Sequence, residues 1–217
     1  MRNGVAKTRA YVMGLALLLA GATFARGDTI VVDVRNNVFA PNVVAVATGD
    51  TVRWSWSQGT HTSTANNGLW DSGILSAPAT FDFTFNQPGN FDYHCNLHLV
   101  CCNMTGTVQV SDPVQLHGVL TTSGIDPNAT GQVSYEMRPY RTVLNVSVQA
   151  VFSTMAVDVF VNRVGPIGHI MLDATGSGTL MLNSQQGDTV PTLQAGDEIE
   201  VLDASDDVTL LLVGTVS

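Results

Sequence analysis

From Asp28 onward, apolar and polar residues alternate one by one in short runs, and helical spacing is nearly absent. Val52, Trp54 and Trp56 interleave with Thr51, Arg53 and Ser55. Phe81, Phe83 and Phe85 interleave with Asp82 and Thr84, and Phe91, Tyr93 and Cys95 interleave with Asp92 and His94. A period of two sends one set of side chains inward and the other outward on a half-buried strand. Gly49-Asp50, Ala77-Pro78 and Gln87-Pro88-Gly89 punctuate the runs as turns. Short strands bounded in this way predict an all-β fold, an antiparallel sandwich or barrel.

The chain has 217 residues, enough for one large domain or two small ones. Ser111-Asp112-Pro113 reads as a joint, because proline donates nothing to a sheet ladder and Asp-Pro favours a turn. Further strands are expected over 143–151, 157–161, 168–172, 179–182, 198–202 and 208–216, with loops over 124–131 and 173–178. Two β domains follow, 28–111 and 112–217. Hydrophobic residues make up 45% of the chain and charged residues 12%, which supports packed cores over disorder.

The first stretch is of another kind. Arg2, Lys7 and Arg9 precede a nearly unbroken apolar run from Ala10 to Ala25. That run falls short of the roughly 20 residues a membrane span needs. It ends on small residues, Ala25-Arg26-Gly27, the pattern of a secretory signal peptide. Residues 1–27 are therefore expected to be removed, leaving an exported chain, periplasmic or extracellular, with no membrane span; the rival reading is an uncleaved amino-terminal anchor. Residues 28–217 keep five arginines, no lysine and all 18 acidic residues, a net charge of −13. Phosphate repulsion excludes nucleic acid as a partner, and any charged partner should present a basic docking surface.

Three cysteines is an odd count for an exported protein, and Cys95, Cys101 and Cys102 lie close together in sequence. Such clustering indicates local chemistry rather than a disulfide framework. The adjacent pair can be a vicinal disulfide or two free thiols. Around it runs Tyr93-His94-Cys95-Asn96-Leu97-His98, then Met104-Thr105-Gly106. A thiolate and an imidazole three positions apart at a strand end can both turn toward one ion. A second imidazole must come from another strand, and His61 in Gly59-Thr60-His61-Thr62-Ser63 follows the run 52–56. Met104 offers a thioether beyond His98. Two histidines, one cysteine and a weak axial methionine form the ligand set of blue-copper electron transfer. His94 falls on the opposite face of its strand. His117 and His169 read as ordinary histidines, and Trp54, Trp56 and Trp70 as core.

Residues 28–110 resemble the cupredoxin family, close to the plastocyanin and pseudoazurin type. The matching stretches are Asn37-Val38-Phe39-Ala40-Pro41, Gly49-Asp50-Thr51-Val52-Arg53-Trp54, His61-Thr62 and Trp70-Asp71-Ser72-Gly73. They continue with Phe85-Asn86-Gln87-Pro88-Gly89-Asn90-Phe91, Cys95-x-x-His98 and Met104-Thr105-Gly106. The resemblance implies a Greek-key sandwich holding one type 1 copper on His61, Cys95, His98 and Met104. It also implies a role carrying single electrons to or from a redox protein partner. One departure stands out: Leu99 to Asn103 make a longer gap between the second histidine and the methionine than the family usually has. This leaves Cys101 or Cys102 as rival axial donors.

Copper enzymes built from such domains add His-x-His or His-Cys-His patterns for further metal ions. Five histidines, none in such a pattern, argue against an enzyme. A binuclear site expects Cys-x-x-x-Cys before its histidine, which is not the order here. The rival reading is a protein that binds or sequesters copper, or engages a surface, without transferring electrons. The segment 112–217 shows no ligand cluster and no nucleophile–base pattern; a second, acidic β-sandwich-like domain is what it predicts.

Overall fold

The computed structural model describes residues 27–217. The apolar amino-terminal run, and with it all of the expected signal peptide except Gly27, lies outside the described residues. The described chain is almost entirely β, as the alternation predicts.

The first unit contains β1 (Thr29–Arg35), β2 (Val38–Ala40), β3 (Val43–Ala47), β4 (Thr51–Trp56), β5 (Thr60–His61) and β6 (Thr64–Ala65). It continues with β7 (Leu75–Ser76), β8 (Ala79–Thr84), β9 (Gly89–His94), the single helical turn α1 (Leu99–Cys102) and β10 (Thr105–Ser111). Two four-stranded sheets result, ordered β2-β1-β4-β8 and β3-β10-β9-β6, with β5 and β7 as a small separate pair. The pairs β1·β4 and β3·β10 are parallel and the others antiparallel. Each parallel pair joins strands distant in sequence, as in a Greek-key sandwich rather than a meander.

Between the sheets, Val32, Val34, Trp54, Trp56, Trp70 and Tyr93 are buried. The rings of Trp54 and Trp70 lie 5.4 Å apart, and Trp54 meets Tyr93 edge-on at 5.4 Å. Offset and edge-on contacts of this kind add to the burial of the rings themselves. Gly106 pairs with Tyr93 across β9 and β10. A Cβ at Gly106 would stand 2.4 Å from Tyr93 Cζ, so the ring fills the space that any larger residue needs.

The second unit is one eight-stranded sheet made of β11 (Val114–Thr122), β12 (Thr130–Arg138), β13 (Arg141–Gln149), β14 (Ala156–Val161), β15 (Val164–Met171), β16 (Gly178–Asn183), β17 (Glu198–Asp203) and β18 (Leu210–Thr215). The strand order is β15-β14-β17-β18-β11-β12-β13-β16. The sheet curls until its edges meet through side chains. A Cβ at Gly168 would fall 2.5 Å from Leu180, and one at Gly178 2.3 Å from Ile170. The sheet is thus nearly closed around its own core, which includes Leu120, Tyr135, Leu144, Val146, Val159, Ile199 and Leu212. That core is separate from the one in the first unit.

Two strands here, β11 and β12, go beyond the runs expected from sequence. Each carries a glycine, Gly118 on β11 and Gly131 on β12, where a Cβ would stand 2.8 Å from Thr215 O and 2.7 Å from Ser147 O. Close backbone approach blanks the apolar alternation that marks the other strands.

Candidate metal centre

His61 ends β5 and Cys95 follows β9 directly, so two strand ends deliver the first two donors. His98 stands at the start of α1, held by its backbone: His98 N–H donates to Cys95 O at 3.1 Å, and His98 O accepts from Cys102 N and Met104 N. His61 Nδ1 and His98 Nδ1 lie 3.0 Å apart. Cys95 Sγ lies 3.4 Å from His98 Nδ1 and 4.0 Å from His61 Nδ1. These three residues form the one group of metal-ligating side chains that converge in this way among the described residues.

The edges suit an ion at their centre. Metal–nitrogen bonds of about 2 Å and metal–sulfur bonds of about 2.3 Å at tetrahedral angles require donor–donor edges of about 3.3–3.6 Å. The observed edges bracket that range. Cys95 and His61 are buried, whereas His98 is partly exposed. Cys95 is also the free cysteine. Burial lowers the pKa of His61, and the neighbouring charge of a protonated His98 lowers it further; a backbone hydrogen bond at Gln58 works weakly the other way. A neutral imidazole is the form that binds a metal.

Several residues absent from the sequence-based ligand set fix these donors. Thr62 N–H donates to Cys95 Sγ at 3.3 Å, and Asn96 N–H donates to Thr62 Oγ1 at 2.9 Å. Trp56 Nε1–H donates to His61 O at 3.2 Å, and Trp70 Nε1–H to Ser63 Oγ at 3.0 Å. Two tryptophans of the core thereby anchor the His61 segment. The only sequence trace of this is the Thr62-Ser63 pair after His61, since indole donors are silent in an alternation pattern.

Met104 is 1% exposed and packs in the same core cluster as Cys95. Its carbonyl accepts from Cys95 N–H at 3.0 Å. The stretch expected to be a long loop is the turn α1, closed by Asn103 in the left-handed conformation. A helical turn advances only about 1.5 Å per residue, so the extra residues coil up and Met104 N–H reaches His98 O at 3.3 Å. Cys101 and Cys102 are exposed, joined to each other as a vicinal disulfide, and outside the converging group. His94 is also outside it: its Nδ1 lies 2.6 Å from Asn66 Oδ1 and its Nε2 2.8 Å from Asn96 Oδ1. His169 Nδ1 sits 2.8 Å from Asp158 Oδ1 in the second unit.

No protein-family model and no curated protein matches the chain. Among solved structures, a reduced amicyanin mutant is similar at 28% identity over 42% of this chain and 88% of its own, with a TM-score of 0.35. A mutant fern plastocyanin is 22% identical over 38% of this chain and 100% of its own, TM-score 0.33. A copper-containing nitrite reductase from Thermus scotoductus SA-01 is 22% identical over 43% of this chain and 25% of its own, TM-score 0.36. Strand order and donor cluster, rather than these likenesses, carry the conclusion: the amino-terminal unit is cupredoxin-like in fold, and His61, Cys95 and His98 fit a blue copper site.

Proposed function

We propose that this chain is an exported blue copper protein that carries single electrons through one type 1 copper, and that it is not an enzyme. Cys95, His61 and His98 would hold the ion, and Met104 would offer its thioether as a fourth donor. The supporting observation is the meeting of one buried free thiol and two imidazole Nδ1 atoms within 4.8 Å of one another. Copper in such a donor set supplies a one-electron couple.

The protein's part is rigidity and shielding. Thr62 N–H steadies the sulfur, and Trp56 holds the backbone of His61. Burial of Cys95 and Met104 keeps water from one side. His98 reaches toward solvent, and Leu97, Leu99 and Val100 beside it are exposed, so this end is where a partner would approach. The partner is a redox protein, and a basic surface on it would complement a chain with 18 acidic residues.

Optical and EPR spectra of the copper-loaded chain, with metal analysis, test the reading. One copper per chain, an intense thiolate-to-copper band and reversible one-electron reduction are expected. Stoichiometric copper without that band would favour the copper-holding alternative.

A further inference from the structure

Five charged side chains meet where the two units join: Asp28 and Asp50 from the first, Glu136, Arg138 and Arg141 from the second. Asp28 is 22% exposed, and the others range from 1% for Asp50 to 8% for Arg141. Their contacts form one continuous network. Arg141 Nε binds Asp28 Oδ2 at 3.0 Å, and Arg141 Nη2 binds Glu136 Oε1 at 3.3 Å. Arg138 Nε shares Glu136, and Arg138 Nη1 binds Asp50 Oδ1 at 2.5 Å. Three carboxylates therefore face two guanidiniums. Charges withdrawn from water persist when they are paired, and this group is one cation short.

The backbone nitrogen of Asp28 lies 2.8 Å from Asp50 Oδ1, the same oxygen that Arg138 binds. In an uncut chain that nitrogen is a neutral amide. With the chain cut just before it, it becomes an α-ammonium, with a full charge and three protons to donate. Gly27, the residue before this bond, meets two requirements. A Cβ at Gly27 would stand 1.8 Å from Gly49 O, so the residue before Asp28 is pressed onto the Gly49-Asp50 turn with no room for a side chain. In addition, Ala25 and Gly27 place small residues third and first before Asp28, as an export peptidase requires.

We propose that the chain is hydrolysed between Gly27 and Asp28, and that the α-ammonium formed at Asp28 is the third cation of this buried cluster, locking the two units together. The proposal rests on the export reading above. Water adds across the peptide bond under an export endopeptidase. Gly27 leaves with the carboxylate on the leader, and the Asp28 amine takes up a proton. Three carboxylates then face two guanidiniums and one ammonium, and the cluster is neutral. Removing the leader thus does more than free the chain: it supplies the charge that the interface lacks.

Residues 28–217 contain no lysine, so the α-amine is the only primary amine of the processed chain. This makes a one-site experiment available. The full chain is expressed in a bacterium, the cell fractions are separated, and the intact mass of the product is measured. The purified product is then acetylated with an amine-selective ester, which removes the charge but keeps an N–H for Asp50. The expected result is an exported product beginning at Asp28 whose melting temperature falls by about 5 °C on acetylation. In an Asp28→Asn variant, where one carboxylate is already gone, acetylation should produce no such fall. An exported product beginning elsewhere overturns the proposal and leaves export standing. So does an equal fall in both proteins, or a change within about 1 °C in the parent. An uncut chain retained in the cytoplasm overturns the export reading and this proposal with it.

Discussion

Replacing one sulfur by oxygen separates the metal chemistry from the fold. Cys95 is fully buried, and its Sγ accepts from Thr62 N–H, a bond that a serine hydroxyl can also accept. Cys95→Ser should therefore fold, at a cost of about 1–2 kcal/mol, and lose the intense band that needs a thiolate. Thermal melting and an optical spectrum of the copper-treated variant check both halves. Protons probe His61 in a second way. Burial lowers its pKa in the folded chain, so the unfolded chain binds more protons as pH falls from about 6.5. Stability of the metal-free chain that is present above that pH should be lost on acidification through the folded value, and His61→Gln should flatten this slope. Melting curves of both proteins between pH 5 and pH 7.5, roughly the range around the free histidine value, decide it. At this scale the sequence is informative because a donor set that fits a blue copper site is built from rare residue types. His61, Cys95 and His98 are legible as such, whereas Thr62, Trp56 and Asn96 act through an N–H, an indole or a backbone bond that residue type does not announce.

At the scale of the element, the turn α1 shows a path that residue counting does not. Five residues between His98 and Met104 look like slack, but coiling shortens the path, and Met104 N–H closes onto His98 O at 3.3 Å. With Met104 buried in the core cluster that holds Cys95, and Cys101 and Cys102 bonded to each other on the surface, Met104→Leu should retain the colour and raise the reduction potential. A weak donor that favours Cu(II) is lost, and leucine keeps water out. Voltammetry reads the result; a larger shift from changing Cys101 and Cys102 together to serine would move the axial role to that pair. The strand pair β9·β10 makes the other element-scale test. Gly106→Ala places a methyl 2.4 Å from the buried Tyr93 ring, and overpacking of this sort costs about 1–3 kcal/mol. Denaturant midpoints should fall accordingly. Alternating aromatic residues make β4, β8 and β9 readable in sequence. In contrast, β11 and β12 are hidden, because Gly118 and Gly131 trade an apolar side chain for close backbone approach.

For the whole molecule, the strands fix which end does what. β4 runs from Thr51, beside Asp50, to Trp56, whose indole holds His61; β10 runs from Thr105, next to Met104, to Ser111, where the chain passes to the second unit. At about 3.3 Å per residue, six or seven residues set the copper end and the domain junction some 20 Å apart. The second unit therefore sits on the end opposite His98. Sequence reading expects a joint at Ser111-Asp112-Pro113 but is silent on this arrangement, since Asp50, Glu136 and Arg138 meet only after both sheets have folded. The separation predicts that the junction can be weakened without touching the copper. Arg138→Leu leaves the buried carboxylates of Asp50 and Glu136 without their shared guanidinium, which should destabilise the chain by about 3–5 kcal/mol. The optical and EPR spectra of its copper-loaded form should match those of the parent, because β4 and β10 hold the ligand ends in place. Spectra that change along with stability would mean that the two ends are coupled through the sheets, and that the second unit helps to set the properties of the metal site.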